Sequence, residues 1–138
     1  MQADLNQVKL CDFGLSRIKT SFQQTTTASS IQGTPSYMAP EQLKATRVRC
    51  NYETDVWASG STIVEIFMSK DLWAIQFDAD PMSYVNNCLN QKIDPPTLTS
   101  ALQEFPDIMG RVQHMLAVQS HNRPSMKGVH TFFTECLS

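Results

Sequence analysis

The spacing of apolar and polar positions changes character several times along this chain. Val8-Lys9-Leu10-Cys11 alternates with the two-residue period of a short strand, and Ala3-Asp4-Leu5-Asn6 before it reads as a turn. Residues 19–34 are rich in Thr, Ser and Gln, show neither a helical nor a strand period, and are bounded by Gly33 and Pro35, which predicts a polar loop. After Asp55 the pattern turns helical. Val56, Trp57, Gly60, Ile63, Val64, Ile66 and Phe67 cover almost every side, so this helix is expected to be buried all round. Residues 71–80, with Trp73 and Phe77, are irregular. Met82, Val85 and Leu89 follow Pro81 at helical spacing, and Pro81 suits a first helical turn. Phe105, Ile108, Met109, Val112 and Leu116 mark another helix, and Met126, Val129, Phe133 and Leu137 a last one after Pro124. Asp94-Pro95-Pro96 breaks the chain between them. The pattern predicts one short strand pair, a long loop and about four helices.

Composition narrows the class of protein. A chain of 138 residues normally forms one domain, and 41% hydrophobic with 17% charged residues is globular rather than disordered. A net charge of −2 makes no electrostatic case for nucleic acid or an anionic membrane. Cys11, Cys50, Cys88 and Cys136 form no C-x-x-C pair, and His114, His121 and His130 are not spaced with them as a zinc site requires. Without a signal-like N-terminus, free thiols in a reducing, cytoplasmic setting are expected. No apolar run approaches the roughly 18 residues of a membrane span.

Four short motifs then occur in a fixed order: Asp12-Phe13-Gly14, Ala39-Pro40-Glu41, Asp55-Val56-Trp57-Ala58-Ser59-Gly60, and Arg123-Pro124. Each alone is weak, but together they resemble the back half of a eukaryotic protein kinase domain, of the serine/threonine type and with affinity to the tyrosine-kinase-like branch. The resemblance runs from about Asn6 to the C-terminus. It implies a mainly α fold, a kinase C-lobe fragment with a short β-hairpin remnant at its N-terminus, from a two-lobed α+β parent. Residues 1–138 then form a partial kinase domain: strand and Asp-Phe-Gly in 1–18, activation segment in 19–41, C-lobe helices in 42–138. None of the five glycines forms a G-x-G loop, no histidine opens a His-Arg-Asp loop, and no Val-Ala-x-Lys strand is present. Phosphoryl transfer needs a phosphate-binding lysine, a base and two magnesium ligands.

The resemblance assigns roles residue by residue. Asp12 corresponds to the carboxylate that holds magnesium against the ATP phosphates, with Phe13 packing into the core and Gly14 giving the backbone freedom to flip. Cys11 would be a small buried hydrophobe behind the ATP site. The Gly33–Glu41 segment corresponds to the part that receives the substrate residue after the phosphoacceptor, and Thr34 would position the substrate. Thr25, Thr26, Thr27, Ser29 and Ser30 are candidate phosphosites, with Arg17 and Lys19 the nearby cations. Glu41 and Arg123 would form a buried ion pair. Asp55 would be a buried carboxylate at the head of the central helix, with Trp57 and Gly60 as structural partners. Ser69-Lys70-Asp71-Leu72-Trp73 departs from the family, where a glycine-containing turn is common.

These readings converge on part of an ATP- and magnesium-dependent protein kinase acting on Ser/Thr of protein substrates. The isolated chain is expected to be inactive, to hold no nucleotide tightly, and to partner the N-lobe and catalytic loop of its parent. The alternative is a non-catalytic C-lobe binding module, or a truncation that competes with the full kinase.

Overall fold

The computed structural model describes residues 7–16, 26–28, 33–44 and 48–138. In chain order these form β1 (Thr26–Ala28), α1 (Pro40–Lys44), β2 (Val48–Cys50), α2 (Tyr52–Met68), α3 (Pro81–Asn90), α4 (Pro96–Glu104), α5 (Pro106–Met115) and α6 (Met126–Leu137), with 3₁₀ turns at Phe13–Leu15, Pro35–Tyr37 and Ser120–Asn122. The fold is mainly helical, as a kinase C-lobe should be.

The helix starts follow local chemistry. The Asn51 side chain accepts from Thr54 N at 3.1 Å, Asp80 from Ser83 N at 2.9 Å, and Ser125 from Gly128 N at 3.1 Å, each satisfying an otherwise orphaned first-turn donor. The bonds from Ser83 also hold the Asp80 carboxyl below the usual carboxylate range. Pro81, Pro96 and Pro106 occupy first helical positions, where a missing N–H costs nothing. Pro106 also separates α4 from α5, with Phe105 as the hinge residue at φ −131°.

The core is built around α2, which packs on α4 and α5. Trp57 and Val64 of α2 meet Val85 and Leu89 of α3, Leu98 and Ala101 of α4, and Met109 and Val112 of α5, all buried. Gly60 permits the closest approach. A Cβ there would stand 3.0 Å from Met115 Cβ and 3.2 Å from Leu116, so only glycine lets α2 and α5 come this near. A smaller cluster of Val56, Met115 and Val129 seats α6.

Several sequence expectations change. Val8–Cys11 forms no strand and has no ladder partner among the described residues, and Val8 and Leu10 are exposed; without a partner, alternation does not make a strand. The rest of the expected N-terminal hairpin, residues 1–6, lies outside the described residues. Strand pairing occurs elsewhere: β1 runs antiparallel to β2, with Thr26 opposite Cys50 and Ala28 opposite Val48. Thr26 and Thr27 therefore sit in a strand rather than in an irregular loop, in keeping with the strand preference of β-branched residues. Helix α2 is not buried all round. Ile66 is 71% exposed, and Phe67 is partly exposed with its ring edge-on to Phe105 at 5.2 Å. Two helices, α1 and α4, were not anticipated, and α4 begins inside the Pro95-Pro96 break.

The stretch between α2 and α3 solves its turn without glycine. Ser69 ends α2 in the left-handed conformation at φ 54°. Asp71 then organises the chain: its Oδ1 accepts from Trp73 N at 3.0 Å, and its carbonyl accepts from buried Thr97 Oγ1 at 2.6 Å. This arrangement sends Leu72 and Trp73 fully into the core, while Phe77 stays in solvent.

Candidate functional site

The segment leading into α1 is drawn down onto α2. Gly33 takes φ 118°, and a Cβ on it would lie 3.2 Å from Met38 Cε, so a larger residue would be both strained and crowded. Thr34 follows, exposed, and opens the Pro35–Tyr37 turn through its carbonyl. Its hydroxyl makes no capping bond. Met38 and Ala39 are buried in the main core. Ser61, buried in the middle of α2, donates to Ser36 O at 3.3 Å. Tyr37 Oη donates to Glu65 Oε2, also on α2. That bond holds the phenol proton, and with burial and the neighbouring charges of Glu65 and Asp71 it pushes the Tyr37 pKa from 10.0 up to about 12.

At the far end of the segment, Arg123 closes the arrangement. Its side chain is wholly buried, and Glu41 is largely so. Nη1 and Nη2 donate to Glu41 Oε1 at 2.7 Å and Oε2 at 2.8 Å, a two-point fork across 82 positions of sequence. The same guanidinium donates to Glu53 O at 2.8 Å and, through Nε, to Ala117 O at 2.8 Å. It lies over the Trp57 ring, 5.1 Å from the centroid. Arg123 therefore joins α1, the start of α2 and the turn after α5. Trp57 is buried beneath it, and its Nε1 has no partner among the described residues.

The Asp-Phe-Gly residues stand apart from this core. Asp12 is exposed and adopts a left-handed backbone, φ 63° and ψ 64°. Phe13 is 66% exposed, so it does not pack into the core, and Cys11 is exposed rather than a buried hydrophobe. The left-handed conformation falls two residues earlier, at Asp12, and Gly14 itself is not left-handed. Asp12 suits one ligand of magnesium: an exposed carboxylate oxygen 3.7 Å from where a Gly14 Cβ would stand, on a cation usually held by one or two carboxylates plus phosphate oxygens. No cluster of three His, Cys, Asp or Glu side chains among the described residues would hold a metal by itself.

Asp55 is not buried. It is exposed on the first turns of α2, its carboxylate has no partner among the described residues, and partial desolvation still pushes its pKa up. Thr25, Ser29, Ser30, Arg17 and Lys19 lie outside the described residues, as do the side chains of Thr26 and Thr27. Sequence reasoning missed Tyr37, Ser61 and Glu65. The available signal was Glu65 itself, a carboxylate set in the apolar run Ile63-Val64-Glu65-Ile66-Phe67.

With the segment, its arginine anchor and the helix beneath them in place, the class of protein is clear. The protein kinase domain family model matches residues 1–133, and the chain belongs to that family. Relatives among known proteins include the mitogen-activated protein kinase kinase kinase ANP1 of Arabidopsis thaliana, 28% identical over 89% of this chain and 19% of its own length. The serine/threonine-protein kinase Nek6 of Oryza sativa subsp. japonica is 30% identical over 87% of this chain and 20% of its own. The mitogen-activated protein kinase kinase kinase 3 of Homo sapiens is 30% identical over 90% of this chain and 18% of its own. The chain thus spans about a fifth of the length of these relatives. No helix among the described residues is long and apolar enough to cross a membrane.

Proposed function

We propose that this chain provides the C-terminal-lobe part of a cytoplasmic serine/threonine protein kinase, and that the chain alone does not transfer phosphate. The observation that carries the reading is the Arg123–Glu41 fork, which ties the Ala39-Pro40-Glu41 motif to Arg123-Pro124 and so presents Gly33–Met38 on a rigid base. In the assembled kinase, Gly33–Met38 would seat the protein substrate beside its acceptor hydroxyl, with exposed Thr34 positioning it. Asp12 would contribute one magnesium ligand. Magnesium bound there with ATP would neutralise charge on the transferring phosphate. The base, the phosphate-binding lysine and the glycine-rich loop must come from an upstream N-lobe and catalytic loop, the chain's natural partners. Thr25 to Thr27, Ser29 and Ser30 are the residues whose phosphorylation would regulate the segment.

The acceptor assignment rests on family resemblance and on the printed names of serine/threonine kinases among the relatives. It is tested by placing this chain behind an upstream kinase half that carries the missing parts. Transfer to Ser/Thr peptides that falls in Thr34→Ala is expected. Transfer confined to tyrosine peptides would overturn it. A second reading, a non-catalytic binding module or competing truncation, is favoured by one observation. The substrate-facing segment is anchored wholly by residues of this chain, so the docking surface does not depend on catalysis.

A further inference from the structure

A cleft of about 350 Å³ opens between α5, the turn before α6 and α6 itself. That volume lies at the lower end of the range for small-molecule sites. Met115, Val129 and the Phe132 ring give it apolar walls, and Asn122 supplies one neutral polar group. Three side chains able to carry positive charge, the exposed Arg111 and His114 and the buried Arg123, line it, and no carboxylate among the described residues does. The Arg111 guanidinium lies over the Phe132 ring, 4.5 Å from the centroid, a cation–π contact on the apolar wall. Arg111 and His114 have no ion-pair partner among the described residues; Asp107, one turn before Arg111, makes no ion pair with it. Arg123, also at the cleft, has its donors engaged with Glu41, Glu53 and Ala117. Exposed Arg111 thus keeps donors available to an anionic ligand at the cleft.

We infer that this cleft binds a small aromatic carboxylate, its ring among Met115, Val129 and Phe132 and its carboxylate on Arg111 and His114. The planar guanidinium, already stacked on Phe132, matches a carboxylate by paired hydrogen bonds. The inference is independent of phosphoryl transfer, because none of these groups touches Asp12 or the Gly33–Glu41 segment.

The test is calorimetric titration of the 138-residue chain with sodium 2-naphthoate, and separately with the neutral 2-naphthamide. Saturable naphthoate binding is expected, with the amide at least about tenfold weaker, the measure of one charge-assisted hydrogen bond. Arg111→Gln should weaken naphthoate by about tenfold, and Arg111→Lys, which keeps charge but not the fork, by less. Gly128→Leu should fill the cleft and remove binding. Gly128→Ala should raise the melting temperature, since alanine favours a helix over glycine and its added Cβ would meet nothing closer than Ser125 Oγ at 3.5 Å. Equal affinity for acid and amide, undiminished binding in Arg111→Gln or Gly128→Leu, or no saturable heat would each overturn the inference.

Discussion

Arg123 has no solvent of its own, so its five N–H donors depend entirely on Glu41 and on the carbonyls of Glu53, Ala117 and Val118. Removing Glu41 would strand a buried guanidinium, and removing Arg123 would orphan a carboxylate and several carbonyls. Either Glu41→Ala or Arg123→Ala should therefore cost about 3–5 kcal/mol in chemical denaturation. The double variant should cost clearly less than their sum, a coupling that a double-mutant cycle reads directly. Tyr37 offers a second residue-level test. Its pKa in the fold is raised from 10.0 to about 12 by the bond to Glu65, so that bond stabilises fully below about pH 10 and is lost as pH rises through about 12. Tyr37→Phe should cost about 1–3 kcal/mol at neutral pH, the value of a hydrogen bond to a charged group. Ultraviolet titration of tyrosinate should lose its latest-ionising phase in that variant. The Glu41–Arg123 pair was legible from the motifs because the family resemblance links two distant positions. Tyr37–Glu65 was not, because no periodicity relates residues on a turn to residues on a helix 28 positions later.

At the level of elements, α2 decides how closely its neighbours pack. Gly60→Ala should improve helix propensity yet push against Met115 and Leu116 at 3.0–3.2 Å. The neighbours are a main-chain-proximal Cβ and a buried leucine that cannot swing away, so overpacking should win, with a net loss of about 1 kcal/mol in the thermal melt. The opposite sign is expected at the residue that caps the helix's C-terminal end. Ser69 sits at φ 54°, where a side chain is disfavoured, and Ser69→Gly should stabilise by about 0.5–1 kcal/mol. Helices α3, α5 and α6 were readable because their apolar residues recur on one face. Helix α4 was not. Leu98 and Ala101 are its main buried apolar positions, and Pro95-Pro96 reads as a break in sequence, although a proline at a first helical position starts a helix as readily as it ends one. The β1–β2 pairing was missed because threonines counted as polar loop residues, whereas their branching suits an extended strand. Phe13 and Asp55 carry the motif letters but not the expected burial. A tripeptide specifies residue type, while burial depends on what packs over it.

As a whole molecule, this chain carries part of a protein kinase domain. It holds the Gly33–Glu41 segment, the helix beneath it, the arginine that locks it, and one candidate magnesium ligand in Asp12. Removing one member of a catalytic unit can already cost several powers of ten in rate, and no His-Arg-Asp, Val-Ala-x-Lys or G-x-G motif occurs in this sequence. The most direct measurement is transfer of radiolabelled γ-phosphate from ATP to generic protein substrates. It should compare the purified 138-residue chain with the same chain placed behind an upstream kinase half. No transfer by the chain alone, and transfer by the joined form that disappears in Asp12→Ala, is the predicted result. Transfer by the chain alone that is abolished by Asp12→Ala would contradict the account.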